Sequence, residues 1–205
     1  MQVYFKRQDK MKKVLTALVL LLSILPAQAQ GKKLFNGFDG GMMVHSGYLT
    51  GSIGPGVIPA KGLPTGIGGV IRLHAGNHLR VGSEGYVSTL AQRGNGSYVK
   101  YGWGGILADV RMVLGKVMPY AGLTVGGGSA TTLLMEETPK VDWDPINGTI
   151  YHKQGFMALC PFAGCDFLVS EAMHLTLKAD WLNCLGHDVS VPSGPRIYFG
   201  FLFYH

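Results

Sequence analysis

Arg196-Ile197-Tyr198-Phe199-Gly200-Phe201-Leu202-Phe203-Tyr204-His205 is the stretch whose alternation decides the fold. Successive side chains of a strand point to opposite sides, so Ile197, Phe199, Phe201 and Phe203 share one face while Arg196 and Tyr198 occupy the other. An aromatic, charge-free face suits a strand that touches lipid, and the charge opposite it must then point into a protein interior.

The same division recurs upstream. Over 78–92, Leu79, Val81, Gly85 and Val87 oppose Arg80, Glu84 and Tyr86; over 97–114, Ile106, Ala108, Val110 and Met112 oppose Asp109 and Arg111. Over 173–186, Leu175, Leu177, Ala179 and Trp181 oppose Thr176, Lys178 and Asp180. An Arg or Lys on a lipid face costs roughly 2–4 kcal/mol at mid-membrane, so confinement of charge to one face defines the interior. A soluble barrel reverses this pattern, with apolar side chains inside.

Segments of this kind fall near 36–50, 64–75, 78–92, 97–114, 117–135, 149–169, 173–186 and 195–205, which makes eight. Three connections are tight: Gly76-Asn77, Gly115-Lys116 and Ser170-Glu171-Ala172. Those between are longer or richer in turn residues: 51–63, 93–96, 136–148 and 187–194. The expectation is an all-β, eight-stranded antiparallel up-and-down transmembrane β-barrel.

Met11-Lys12-Lys13, an almost wholly apolar run from Val14 to Pro26, and Ala27-Gln28-Ala29 read as a cleaved signal peptide. Residues 1–29 are thus expected to be an N-terminal extension and signal, and 30–205 the barrel domain. The apolar run of the signal is too short for the roughly 20 residues of a spanning helix, and no later apolar run reaches that length. The formal charge of +6 shrinks once residues 1–29 are set aside, leaving 13 basic against 11 acidic residues, a balance that argues against nucleic-acid binding.

The expected inward charges are Asp39, Glu84, Asp109, Asp166 and Asp180 against Arg72, Arg80, Arg111, Lys178 and Arg196. Eight strands enclose a space that side chains just fill, so this set reads as a packed ion-pair network and not as the lining of a pore. In the strand register that sets Asp166 opposite Lys178, Cys160 falls opposite Cys184, a pair that an oxidising compartment could bridge; the alternative is two small buried thiols. Cys165 would face lipid.

Other residue groups point less clearly to chemistry. Tyr48, Tyr98, Tyr101, Trp103, Tyr151, Trp181, Tyr198 and Tyr204 lie towards strand ends, where they suit either interfacial girdles or ordinary packing. The seven histidines lack zinc-ligand spacing, and no cofactor motif is present. His187, Asp188 and Ser190 are the residue types of a hydrolase triad, but adjacent positions on a turn do not supply its geometry. Gly122–Gly128 lacks the lysine and helix of a phosphate loop, and instead makes room for large inward side chains. In the acidic 136–148 connection, Trp143 between Asp142 and Asp144 is the expected anchor of a contact.

Together the signal at 11–29, the eight alternating segments and the Phe199/Phe201/Phe203 end resemble the small outer-membrane β-barrel proteins of Gram-negative bacteria. The Ala27-Gln28-Ala29-Gln30 junction is similar to those of Bacteroidetes exported proteins. The resemblance implies residence in the outer membrane among its lipids, with tight turns on the periplasmic side, and insertion by the barrel-assembly machinery. That family commonly ends on an aromatic residue, whereas this chain ends on His205 after Tyr204. It further implies a non-enzymatic structural or surface-interaction protein whose outer loops meet an unidentified surface or periplasmic partner. Alternatives are a lipid-modifying enzyme, since barrels of this size include lipid A deacylases and acyltransferases, and a soluble periplasmic ligand-binding barrel.

Overall fold

The structure, a computed structural model, describes residues 35–53, 58–91, 97–135, 149–185 and 193–205. Eight strands form a closed antiparallel barrel: β1 (Gly37–Gly47), β4 (Thr65–Ala75), β5 (Leu79–Ala91), β6 (Tyr98–Arg111), β7 (Val117–Met135), β8 (Thr149–Ser170), β9 (Met173–Leu185) and β10 (Gly194–Tyr204). Each pairs with its sequence neighbour in the barrel, and β1 closes on β10, with Asp39 opposite Tyr204 and Gly47 opposite Arg196. Closure leaves no unpaired strand edge, the condition for a sheet to sit in hydrocarbon. At one end, the turn end, the β4–β5 and β6–β7 turns contain Gly76 and Gly115, whose φ of 71° and 66° lie in the left-handed region that glycine enters freely.

A walk across the register gives the slope of the strands. Gly37 stands opposite His74, then Arg80, Asp109, Gly122, Phe162, Asp180, Arg196 and finally Gly47, ten residues beyond the start. A row of opposed residues therefore climbs towards the loop end on its way from β1 to β10. That stagger goes with strands tilted about 35–45° to the barrel axis, and it sets the barrel's width.

The two faces are sharply divided. Phe38, Met42, Val44, Ile71, Ile106, Leu177, Ile197 and Phe201 stand exposed on the outside, Ile106 to 75%. Arg80, Asp39, Asp166 and Thr176 are fully buried within, at 0% exposure. Inward glycines make room for the largest inward side chains: a Cβ on Gly122 would lie 2.7 Å from the Phe162 ring, and one on Gly164 2.5 Å from Tyr120.

Two features differ from the sequence expectation. Residues 51–63, read as a connection, contain most of a two-stranded hairpin of β2 (Leu49–Ile53) and β3 (Ile58–Gly62). Pro59 is compatible with it because it lies on β3, an edge strand that need not donate at every position. The β8–β9 register is two residues away from the expected one: Asp166 lies opposite Thr176, Lys178 opposite Gly164, and Cys184 opposite Ala158. A slip of two leaves every side chain on its own face, so the hydrophobic pattern does not resist it. Pro161 interrupts the β8–β9 pairing without shifting it, since Leu159 opposite Asn183 and Phe162 opposite Asp180 share one register.

Candidate functional site

Among the described residues the charged side chains converge in the barrel interior, in two groups. Near the turn end, Arg72 and Arg80 are enclosed by three aspartates from three other strands. Arg72 donates from Nε to Asp39 at 2.7 Å and from Nη2 to Asp166 at 3.3 Å. Arg80 donates from Nε to Asp109 at 2.7 Å and from Nη1 to the same Asp166 oxygen at 2.8 Å. Asp166 thus joins both guanidiniums. Tyr120 supplies its ring to them, 4.7 Å from Arg80 Cζ and 5.3 Å from Arg72 Cζ, a cation–π contact in a desolvated site.

Below this group the turn end is stoppered by aromatic rings. Tyr204 stacks on His174 with centroids 3.8 Å apart and meets His74 edge-on at 5.2 Å. His74 Nε2 lies 2.6 Å from Asp39, and its Nδ1 lies 3.4 Å from Arg111 Nη2. Arginine has no acceptor, so this arrangement selects the tautomer in which His74 donates from Nε2 to Asp39. Arg111 itself corrects the expected network. It pairs with no carboxylate among the described residues, and donates instead to Tyr204 Oη at 3.0 Å and to the Asn77 carbonyl at 3.1 Å. Its position on the inward face is right, but at the last residue of β6 it reaches the rim.

The second group lies further towards the loop end. Lys178 donates to Glu84, which also accepts from Thr124 at 2.6 Å and from Tyr86 at 3.2 Å. Arg196 makes a bidentate pair with Asp180 at 2.9 and 2.7 Å, and Tyr198 adds a third bond to Asp180 at 2.8 Å. Trp103 packs over the Arg196 guanidinium at 4.8 Å. Closer still to the loops, Leu49, Leu90, Val99, Tyr101 and Leu182 are all buried to 2% exposure or less. The space enclosed between the two charge groups measures about 10 Å³, on the order of one water molecule. What the arrangement can do is seal and stiffen the barrel.

Cys160 and Cys184 are free thiols, as is Cys165, so of the two readings left open by the sequence the structure has unbridged thiols, with Cys160 buried and Cys184 partly so. The register explains why: Cys184 faces Ala158, while Cys160 Sγ lies 3.9 Å from Arg196 Nη2. The aromatics divide as well. Tyr48, Tyr151 and Trp181 are exposed on the outer face, whereas Tyr101, Trp103 and Tyr198 are buried within the barrel. Trp143, and His187, Asp188 and Ser190, lie outside the described residues. Sequence reading missed His45, His74, Tyr120, Thr124 and Ser88 as interior partners. Strand parity could have found them, because His74 follows Arg72 by two and Ser88 follows Tyr86 by two.

No protein-family model and no curated protein matches this chain. Among solved structures it is similar to Ail, the attachment invasion locus protein of Yersinia pestis, in complex with the heparin analogue sucrose octasulfate. The TM-score is 0.55 at 14% identity, over 83% of this chain and 99% of Ail. It is similar also to Neisserial surface protein A, with a TM-score of 0.55 at 15% identity over 82% of this chain and 94% of that one. OprG, an outer membrane protein of Pseudomonas aeruginosa, follows at 0.51 and 15%, over 83% and 97%. At such identities the likeness is one of fold: this chain has the closed eight-stranded fold of the outer-membrane β-barrels of Gram-negative bacteria.

Proposed function

We propose that the protein is an outer-membrane anchor with a sealed interior, which holds its long connections at the cell surface for contact with an extracellular partner, its turn end being open to a periplasmic one. The observation that carries this reading is the inversion of the faces: exposed Ile, Leu, Val and Phe outside, nine carboxylate, lysine and arginine side chains from Asp39 to Arg196 buried inside. Such a barrel is stable only where its outside is apolar too. In this reading the segment 11–29 directs export and is removed, the assembly machinery inserts residues 30–205, and the turn end faces the periplasm. The mechanism is rigid presentation, because ion pairs and rings fill the lumen at the level of the two charge groups, where the enclosed space of about 10 Å³ suits one water and not a solute. The names of two structural neighbours, an attachment invasion locus protein and a surface protein, agree with a role at the surface.

The test is fractionation of cells expressing the full chain, followed by gel electrophoresis of the detergent-extracted membrane fraction with and without boiling. A detergent-dependent band that shifts on heating is expected. A freely soluble, unshifted protein would overturn the proposal and return attention to a soluble ligand-binding barrel. A change in lipid A species on expression, abolished by substituting His187 or Ser190, would replace presentation with catalysis.

A further inference from the structure

We infer that a clasp at the turn end makes closure of the barrel sensitive to acid: it holds the end of the last strand, β10, while His174 is neutral and releases it when that imidazole gains a proton. The clasp is built around Tyr204, the last residue of β10. Its backbone is tied in on both sides, opposite Asp39 of β1 and donating to the Ala172 carbonyl beside β9 at 2.9 Å. Its side chain is gripped from four strands. His174 of β9 stacks on the ring with centroids 3.8 Å apart, and His74 of β4 meets it edge-on at 5.2 Å. Arg111 of β6 donates to its Oη at 3.0 Å and Arg80 of β5 at 3.4 Å.

Histidine is the side chain whose charge changes between about pH 5 and 8. His174 is only 4% exposed, and its Nδ1 has no hydrogen-bond partner. The charged groups around it are already committed to one another. Asp166 of β8 accepts from Arg72 and Arg80 through a single oxygen. Asp39 bonds Arg72 through one oxygen and His74 through the other, and Asp109 of β6 accepts from Arg80. Arg111 lies on the same side, its Nη2 3.4 Å from His74 Nδ1. Three carboxylates thus face three guanidiniums, and Tyr120 of β7 adds a ring without charge.

A proton on His174 gives this closed end a surplus positive charge, and a buried cation without a partner is costly. Withdrawal of Tyr204 relieves the cost, because it uncovers the face of the imidazole on which the tyrosine ring is stacked and lets water reach it. Since Tyr204 is the end of β10, its release unpairs one strand terminus and leaves the rest of the register in place. His78 and His205 are exposed and lie outside the clasp.

The experiment uses the full chain in detergent, first shown to be heat-shifted, so that failure to form a membrane barrel is detected separately. Amide hydrogen exchange of the peptide that ends at His205 is followed by mass spectrometry at pH 7.5 and 5.0, each rate being taken relative to an unstructured peptide at the same pH. Excluding from the clasped state one proton that a free imidazole takes up should lower the protection of Tyr204 about thirty-fold over this interval. His174→Phe, which keeps a ring on Tyr204 without a titratable nitrogen, should abolish the fall, whereas His205→Gln should preserve it. Ring signals of carbon-13-labelled histidine in the unmodified protein give a second reading: His174 should take up its proton in the same interval in which Tyr204 loses protection. A protonated His174 under a still protected Tyr204 would overturn the proposal, as would an undiminished fall in His174→Phe. Greater protection at pH 5.0 would also overturn it, and would mean that the new N–H is taken up by Oδ1 of Asp166, itself without a partner, so that acid tightens the clasp.

Discussion

The two charge groups of the interior stabilise the barrel in different ways. At the turn end, two arginines and three aspartates from five strands share partners, with Asp166 bonded to both guanidiniums. Nearer the loops the charges are separate units: Arg196 with Asp180 on the adjacent strand, and Lys178 with Glu84 across the barrel. The first group is a network in which loss of one member strands several others. The second consists of pairs set among tyrosines and aliphatic side chains, where a loss stays local.

That contrast can be broken in graded steps, each read as the change in unfolding free energy of the detergent-folded barrel in urea. Asp166→Ala should have the largest effect, about 3–5 kcal/mol or more, because it leaves two buried guanidiniums short of a carboxylate. Lys178→Met should cost less, about 3 kcal/mol, since Glu84 keeps its bonds from Thr124 and Tyr86. Leu182→Ala, in the apolar layer, is expected to cost about 2–3 kcal/mol through the cavity it leaves. Combining Lys178→Met with Glu84→Gln should recover most of the single-variant loss and end within about 1 kcal/mol of the parent, because no buried charge is then unpaired. The smallest effect is expected from a reductant: with Cys160 and Cys184 free, dithiothreitol should leave both the heat-shifted mobility and the urea midpoint unchanged. A cooperative loss from Lys178→Met as large as that from Asp166→Ala would mean that the two groups form one network.

The fold was legible because two independent sequence patterns agree. Charge confined to one parity, as in Arg80 and Glu84 against Leu79 and Val87, fixed the faces, and the tight turns at Gly76-Asn77 and Gly115-Lys116 fixed the strand count. Individual partners were less legible. Parity forbids odd slips and permits even ones, so Asp166 could be placed inside but not assigned to Arg72 and Arg80 in preference to Lys178. The partners that matter most to Asp166 come from β4 and β5, across the barrel, and alternation along one strand carries no information about what lies opposite through the lumen. Arg111 shows the complementary limit: its parity is inward, but its place at the end of β6 gives it Tyr204 and a backbone carbonyl instead of an acid.

The closure of β1 on β10 has a kinetic consequence. Asp39 and Tyr204 are neighbours in space and nearly the whole described chain apart in sequence, so the seam is the least local contact that folding must make. Until it forms, both edge strands expose unpaired amide and carbonyl groups, which lipid cannot satisfy. The late phase of folding should therefore be slow, all-or-none and governed by the arrival of the last strand, and a chain that lacks residues 194–205 should stall with two open edges instead of forming a smaller barrel.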